Sequence, residues 1–462
     1  MASSRRLIAA GVVFYSWFAT PAIFTVAAVA AEQAAETYLV GVAAVDITPD
    51  YPVRLNGFGH RRTEFEGVTQ RIWAKAIAIG ADDERPLVLV TMDNLGVRLP
   101  MVEEVARRLN EKAAIERARL AVTFTHTHTA PKVRGASETI MGWPVPPEHQ
   151  QHIDRYTADL TNALEKVALA ALADRKPARL EWAVGKVGFA KNRRTEGGPV
   201  DHDLPMLVVR NVEGDAIRAV YVTYACHCVT LSHNQISGDW AGYAQEAIER
   251  EHPGTIALVS IGCGSDSNPS SGVTGDNFAA AAEQGAEIAK EVARLLQGAL
   301  KPVGGTVHAT LHNIDLPLNK PPGREELEAL AANDDPAGHN AKYQLDKLNR
   351  GEALQLTIVY PIQTWSFGDS LEMIFLGGEV CVDYSRRLKQ ELDASRLWVH
   401  GYSNDFGCYI PSERLLKEGG YGGGAEIVYF ALPATLAPGL EERIIAEVHR
   451  QVPASFHDGD TQ

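Results

Sequence analysis

The hydrophobic pattern alternates between strand-like and helix-like segments. Residues 39–48 alternate apolar and polar positions and are rich in β-branched residues, which predicts a strand. Segments 72–80 and 87–92 predict a strand pair joined at Asp82 and Asp83. The same reasoning predicts strands at 119–125, 179–188, 205–211, 218–225, 256–261, 306–317, 354–364, 371–377 and 396–401. Helical spacing predicts helices at 100–113, 150–175, 240–251, 278–299, 379–393 and 437–450.

This alternation indicates the α/β class, with mixed sheets flanked by helices. We expect one catalytic domain over about 36–455, because no linker or repeat divides that region. Within it, 318–352 is charged and contains proline, with helical spacing at 324–332. This segment could be a surface excursion or a lid, and a solvated insertion without a role is an equal alternative.

The N-terminus has a different pattern. Arg5 and Arg6 precede an apolar run from 7 to 29, which ends in the small residues Ala30 and Ala31. This arrangement predicts a signal peptide over 1–31 and therefore a secreted or periplasmic protein. The alternative is a single membrane anchor, because the run is nearly long enough to span a bilayer.

Charge and cysteine content limit the classes of protein to which this chain could correspond. The 462-residue chain has a formal net charge of −14, which argues against a nucleic-acid partner because phosphate binding needs clustered cations. Five cysteines are too few for a disulfide scaffold of this length. We expect them mainly as small buried apolar residues, although one disulfide would be compatible with export.

Candidate chemistry begins with the segment Thr125–Thr129, which follows a predicted strand and contains His126 and His128. Residues two apart on an extended segment point the same way, so both imidazoles could face one site. A histidine pair at a strand end suits zinc. Two polar residues in an edge loop are the alternative explanation.

Further polar clusters also follow predicted strands. His227 lies between two cysteines, and His233 is equally eligible as a ligand by spacing. Glu379 follows two glycines, which allow close backbone approach; alternatively it stabilises the first turn of a helix. Loops 262–269 and 401–409 come after two more strands. Because ligands of open α/β sheets bind beyond the carboxyl ends of strands, these clusters predict one active site there.

Taken in order, these segments resemble the neutral ceramidase family. The segments GVAAVDITP, LNGFG and GVTQRIWAKAIAI resemble its N-terminal signature, and THTHTAP is similar to its THTHSGP. KNRR resembles its Asn-Arg-Ser segment, and ACHC with ISGDWAGYA resembles its second histidine segment. GGEV and GYSNDFGCYIPSE resemble its Pro-Gly-Glu-Phe and tyrosine segments. The likeness runs in order from about 40 to 425.

The resemblance implies a zinc ion (Zn2+) held by two histidines, one glutamate and one tyrosine. The matching positions are His126, His227, Glu379 and Tyr409. Tyr421 follows Tyr409 at the family's spacing, which favours Tyr409 over Tyr402 as the ligand. The catalytic group implied by the resemblance is His128, Arg193 and Tyr421, and the substrate-binding group is Asn56, Gly57 and Ser267. Ser267 aligns with a family serine, but its neighbours differ.

The implied reaction is zinc-dependent amide hydrolysis by metal-activated water. Arg193 and Tyr421 would stabilise the oxyanion, and His128 would protonate the leaving amine. Asp93 and Asp239 are candidates for orienting the histidines. The expected partner is a small-molecule or lipid N-acyl substrate, with ceramide, an amino sugar or an amino acid as options and with transient contact to a membrane surface. A silent binding protein on the same scaffold is the competing class, and the sequence makes no prediction of oligomeric state.

Overall fold

The computed structural model describes residues 36–457 together with Met1 and Gly11. The predicted signal peptide over 1–31 therefore lies outside the described residues, except for those two positions. The described residues 36–457 form one compact unit. Within the described part of the chain, no helix is long and apolar enough to cross a membrane.

The strands agree closely with the hydrophobic pattern. They are β1 (Thr37–Asp46), β2 (Trp73–Ile79), β3 (Leu87–Met92), β4 (Leu120–Phe124), β5 (Lys176–Lys186), β6 (Ala190–Asn192), β7 (Asp203–Asn211), β8 (Ile217–Tyr224), β9 (Ile256–Ile261), β10 (Ser267–Pro269), β11 (Lys301–Val303), β12 (Val307–Pro317), β13 (Thr357–Phe367), β14 (Leu371–Leu376), β15 (Glu379–Val380), β16 (Leu397–His400) and β17 (Tyr409–Ile410).

The helices occupy the long periodic segments. They are α1 (Leu99–Ala113), α2 (Pro147–Ala173), α3 (Asp239–Glu251), α4 (Phe278–Leu296), α5 (Arg324–Leu330), α6 (Pro336–Asn349), α7 (Val382–Glu391), α8 (Glu413–Glu418) and α9 (Leu440–Gln451). Helix α8 and the shortest strands were not predicted, because elements of that length carry little periodic signal. Helix α6 was not predicted because its buried face consists of Gly338, Asn340, Ala341 and Gln344 and has no apolar stripe. The predicted helix 379–393 was wrong at its start: it begins at Val382, and Glu379 lies in a strand.

Two mixed sheets pack face to face between helices, which confirms the predicted α/β class. The large sheet has the order β4-β3-β2-β1-β5-β7-β8-β9, with β11 beside β5, and the small sheet has the order β12-β13-β14-β16. A core that includes Trp182, Trp365 and Trp398 fills the space between the sheets. A second core packs helices against the outer faces. Strands covered on both sides explain the nearly continuous apolar runs in the sequence.

The loop after β16, residues 401–405, joins the ends of three strands. Its Gly401 N–H donates to Ile261 O at the end of β9 (3.2 Å), and its Asn404 N–H donates to Val122 O in β4 (2.7 Å). Its Ser403 N–H donates to Leu376 O at the end of β14 (3.1 Å). Both edges of the large sheet and the small sheet are therefore fixed to one short loop.

Asn404 stabilises this junction through both its backbone and its side chain. Its backbone is left-handed (φ 61°), a conformation that asparagine tolerates better than most residues. Its Oδ1 accepts from Val122 N–H (3.2 Å), and its Nδ2 donates to Gln363 Oε1 (2.8 Å). The side chain is fully buried, so neither partner has water as a substitute.

We expect Asn404→Leu to lower the free energy of unfolding by roughly 2–4 kcal/mol, because it leaves two buried polar groups unpaired at a position that disfavours branched side chains. Urea unfolding monitored by circular dichroism measures this. The control is Asn313→Leu on an exposed position of β12, which should change stability by about 0.5 kcal/mol or less. Equal effects of the two substitutions would contradict the role of the 401–405 loop.

Candidate active site

His126 and His128 project from the segment after β4, and each Nδ1 faces a backbone carbonyl. His126 Nδ1 lies 2.7 Å from Leu95 O, and His128 Nδ1 lies 3.1 Å from Gly57 O. Since a carbonyl can only accept, both rings carry a proton on Nδ1, so the neutral form of each ring has its lone pair on Nε2. His126 achieves this with a left-handed backbone (φ 56°), a strained conformation of the kind concentrated at functional sites.

His227 follows β8 and has the same arrangement. Its Nδ1 lies 3.0 Å from Gly264 O in the loop after β9. Gly264 is required there, because a Cβ at that position would lie 2.6 Å from the carbonyl carbon of Ala225. The indole N–H of Trp240 donates to His227 O (2.9 Å) and fixes the backbone from the other side. The tautomer of His227 is therefore also set by backbone packing.

Glu379 lies in β15, which pairs in parallel with β17 and sets Glu379 beside Tyr409. Gly378 makes this approach possible: it has φ 71°, and a Cβ would lie 2.6 Å from Cys408 O. The helix-dipole explanation for Glu379 is thus excluded, since the residue precedes α7 by three positions. Its Oε2 lies 3.1 Å from His227 Nε2 and 3.4 Å from His126 Nε2.

The three imidazoles and the carboxylate converge on one point. His126 Nε2 lies 3.2 Å from His128 Nε2. His227 Nε2 and Glu379 Oε2 are buried and lack a hydrogen-bond partner. Ligand atoms around a tetrahedral zinc with bonds of 2.0–2.1 Å are about 3.3 Å apart. The side chains of His126, His128 and His227 could therefore hold a metal ion.

Burial favours the neutral forms of His227 and His128 by lowering their pKa values. It lowers the pKa of His227 to about 4, with the charge of Arg193 acting in the same direction. Burial, together with the neighbouring imidazoles, also lowers the pKa of His128 well below its ordinary value. For Glu379, burial would raise the pKa, but the facing His126 and His227 bring it below its usual range. Neutral imidazoles and an ionised carboxylate are the forms that bind metals.

Arg193, Tyr409 and Tyr421 form a connected group beside the histidines. The Tyr409 hydroxyl accepts from Arg193 (3.0 Å) and lies 3.2 Å from the Tyr421 hydroxyl. The Tyr409 ring stacks on His227 with centroids 6.5 Å apart. The Arg193 guanidinium lies 4.9 Å from the centre of the Tyr421 ring, and its Nε has no partner. These donors surround the space next to the three histidines.

A cavity of about 510 Å³ opens onto this group, and we name it the histidine cavity. His128, Arg193 and Tyr421 all line it. Six apolar side chains form much of its wall, namely Phe58, Ile140, Met141, Val229, Val273 and Pro336. Asp334 and Asp335, from the predicted insertion 318–352, lie at its rim. The insertion therefore forms part of the cavity wall, and its movement as a lid stays a prediction.

The proposed substrate-binding residues occupy different surroundings. Gly57 lines the histidine cavity, whereas Asn56 is buried beneath it and donates to Ala136 O (3.3 Å). Ser267 is buried in β10, with its carbonyl accepting from His227 N–H (2.9 Å). The neighbouring Asn268 lines the cavity instead. The structure therefore brings Gly57 to the site directly and uses Asn56 and Ser267 as supports.

Asp93 and Asp239, the residues expected to orient the histidines, form hydrogen bonds with other groups. Asp93 accepts from Trp73 N–H and Gln245, and Asp239 accepts from Leu231 and Trp240 N–H groups. The expectation that these aspartates orient the histidines was wrong, because backbone carbonyls take that role.

His233 and Tyr402 are also excluded from the convergence point. His233 packs on Phe278 instead. The hydroxyl of Tyr402 lies 3.5 Å from His227 Nδ1, on the side of the ring away from Nε2. All five cysteines are free and buried, as expected.

Sequence reasoning missed Arg61, a buried cation behind His128. Its guanidinium donates to four backbone carbonyls, those of Asn56, His128, Ser232 and His233. Burial lowers its pKa to about 9, since none of these partners is a carboxylate. Arg61 thereby joins the loop that carries Gly57 to the segments that carry His128 and His233. Nothing in the local sequence distinguishes Arg61 from the exposed Arg62 that follows it.

We expect acid to destabilise the metal-free protein through His227. The folded pKa of about 4 lies below the ordinary 6.5, so the unfolded chain takes up the proton first. The stabilisation is present above about pH 6.5 and is lost as the pH falls towards 4, about 2 kcal/mol by pH 5. Urea unfolding of chelator-treated protein at pH 7 and 5 tests this. His227→Asn should show a smaller pH dependence, and an unchanged one would refute the assignment.

The chain is similar to known proteins in part of its sequence and in its fold. Residues 38–260 match the family model described as neutral/alkaline non-lysosomal ceramidase, N-terminal. The neutral ceramidase from Pseudomonas aeruginosa is 18% identical, with a TM-score of 0.69 over 92% of this chain and 76% of that chain. A second structure, a ceramidase complexed with C2, is 17% identical, with a TM-score of 0.67 over 92% and 77%. No curated protein matches the sequence. Residues 38–260 are thus similar to the N-terminal part of the neutral ceramidase family, and the chain shares the fold of both ceramidase structures.

Proposed function

We propose that this protein hydrolyses the amide bond of a ceramide-like N-acyl substrate with the help of zinc. The observation that carries the proposal is the convergence of three imidazole Nε2 atoms and the Glu379 carboxylate at one point. That point adjoins a cavity of a size typical of small-molecule sites. The family match supports an amide as the bond that is cleaved.

The proposed zinc ligands are His126, His227, Glu379 and Tyr409. His126, His227 and Glu379 are nearly or fully buried, so a bound cation would compensate a carboxylate removed from water. Tyr409 is adjacent to Glu379 across the β15–β17 pair and stacks on His227. When bound, zinc would supply a Lewis acid and lower the pKa of water towards about 7.

His128 is the proposed acid and base. It lines the histidine cavity, whereas the two histidine ligands do not. Its Nδ1 proton is committed to Gly57 O, so only Nε2 can accept a proton from the attacking water. The same nitrogen would then pass the proton to the leaving amine. Its lowered pKa keeps it neutral, and therefore basic, at neutral pH.

Arg193 and Tyr421 are the proposed stabilisers of the oxyanion. Both line the cavity, and the Nε of Arg193 has no partner, so a donor is available there. Donors fixed in place before reaction are most effective where negative charge develops. Tyr409 holds both side chains through its hydroxyl. We also propose export of the protein, on the basis of its N-terminal sequence.

The test combines metal analysis with hydrolysis. Purified protein should contain one zinc per chain by mass spectrometry and release sphingosine from ceramide in a chelator-sensitive reaction. Glu379→Gln should lose zinc and reduce kcat/KM by roughly 100-fold or more, because it removes the charged ligand. The same assay applied to other N-acyl compounds separates the reaction from the substrate.

A matched control is Glu372→Gln, which changes a second fully buried glutamate in β14. Burial raises the pKa of Glu372 to about 8, so the carboxyl is mainly neutral at pH 7 and glutamine resembles it. Zinc content and kcat/KM should stay within about twofold of the wild type. Full activity of Glu379→Gln, or activity that survives complete chelation, would refute zinc-dependent hydrolysis.

A further inference from the structure

A second cavity adjoins the histidine cavity, and we name it the arginine cavity. It has a volume of about 540 Å³ and shares Arg193, Asn268 and Tyr421 with the histidine cavity. The two spaces therefore meet at the residues proposed to hold the substrate carbonyl. An amide bound there has one substituent on each side of its carbonyl carbon, so the two cavities could take the two halves of the substrate.

The linings of the two cavities differ sharply. The remaining wall of the arginine cavity consists of Arg194, Thr195, Glu418, Gly419 and Gly420, with no aliphatic side chain. The histidine cavity has six apolar side chains, including the exposed Val273. A hydrocarbon chain gains free energy by leaving water for an apolar surface. Only the histidine cavity offers that surface.

The loop that carries Glu418, Gly419 and Tyr421 lies between the cavities and is held by charged groups. Arg194 donates to Gly419 O (2.9 Å) and to Tyr421 O, and it forms an ion pair with Glu418 (3.3 Å). Glu426 accepts from Gly422 N–H (2.7 Å) at the other end. A long alkyl chain beside Arg194 and Glu418 would remove these groups from water without replacing its hydrogen bonds.

His128 determines which half of the substrate enters each cavity. Among the two linings it belongs to the histidine cavity alone. Since His128 is the proposed proton donor to the leaving nitrogen, the amine half lies in that cavity. The acyl half then extends past Arg193 and Tyr421 into the arginine cavity.

We propose that the enzyme selects amides with an apolar amine half and a short or polar acyl half. The amine half lies against Phe58, Met141 and Val273, and the acyl half lies against Arg194, Thr195 and Glu418. This selectivity rests on the function proposed above. It predicts a preference for short-chain over long-chain N-acyl sphingosines.

The first experiment measures kcat/KM of the full chain, zinc-loaded, for N-acetyl-, N-succinyl- and N-hexadecanoyl-sphingosine in one detergent. We expect the acetyl or succinyl amide to exceed the hexadecanoyl amide by at least about 10-fold. A larger value for the succinyl amide would indicate that Arg194 binds its carboxylate. Equal or better cleavage of the hexadecanoyl amide would overturn the inference while keeping the proposed function. Failure to cleave any member would refute both.

A second experiment alters the arginine cavity. Thr195 is exposed and its hydroxyl makes no hydrogen bond within the described residues, so Thr195→Leu adds apolar surface without breaking a contact. It should raise the ratio of kcat/KM for the hexadecanoyl amide to kcat/KM for the acetyl amide by about 3- to 10-fold. The control is Thr357→Leu, an exposed threonine at the start of β13. No change in acyl selectivity with Thr195→Leu would contradict the acyl placement.

The orientation is tested by Val273→Asp in the histidine cavity. The charge should raise the KM for N-acetylsphingosine by at least about 5-fold more than the KM for N-acetylethanolamine, which has no hydrocarbon chain. Val273 is 47% exposed, so the substitution leaves the core intact. If Val273→Asp instead changed only the dependence on acyl length, the two halves would be reversed and the proposal would be wrong.

Discussion

The junction at residues 401–405 is the constraint on which the site depends. Backbone N–H groups of this loop bind the end of β9, the edge of β4 and the end of β14. Each of these strands is followed by a part of the site: His126 and His128 after β4, the Gly264 carbonyl after β9, and Glu379 after β14. Two residues of the loop, Tyr402 and Asn404, have left-handed backbones, so local strain is accepted where three strands must end together.

Buried electrostatics then shape the chemistry at this junction. Glu379 is a buried carboxylate that faces the imidazoles of His126 and His227. Removing a charge from water is costly unless it is paired. The carbonyls of Leu95, Gly57 and Gly264 accept from the Nδ1 atoms of the three histidines, so each Nε2 is directed at the same point. His126, His128 and His227 could therefore hold a metal ion there.

The same arrangement distinguishes His128, the proposed acid-base group, from the proposed ligands His126 and His227. His126 and His227 are enclosed, whereas His128 faces the histidine cavity. Arg61 supports this placement from behind by binding the carbonyls of Asn56 and His128. The charge of Arg61 also adds to burial and the neighbouring imidazoles in lowering the pKa of His128. Access to the cavity therefore separates the roles that we propose for chemically identical rings.

The sequence by itself determined the strands, the long helices and the polar clusters that follow them. Apolar periodicity is local, so segments such as β9 and α4 were predicted to within a few residues. The tertiary structure alone decided what each cluster contacts. Glu379 became part of a strand because Tyr409 pairs with it. Asp93 and Asp239 bind other groups, and backbone carbonyls bind the imidazoles instead. Backbone carbonyls are the same in every residue, so no sequence pattern distinguishes the ones that fold against a histidine.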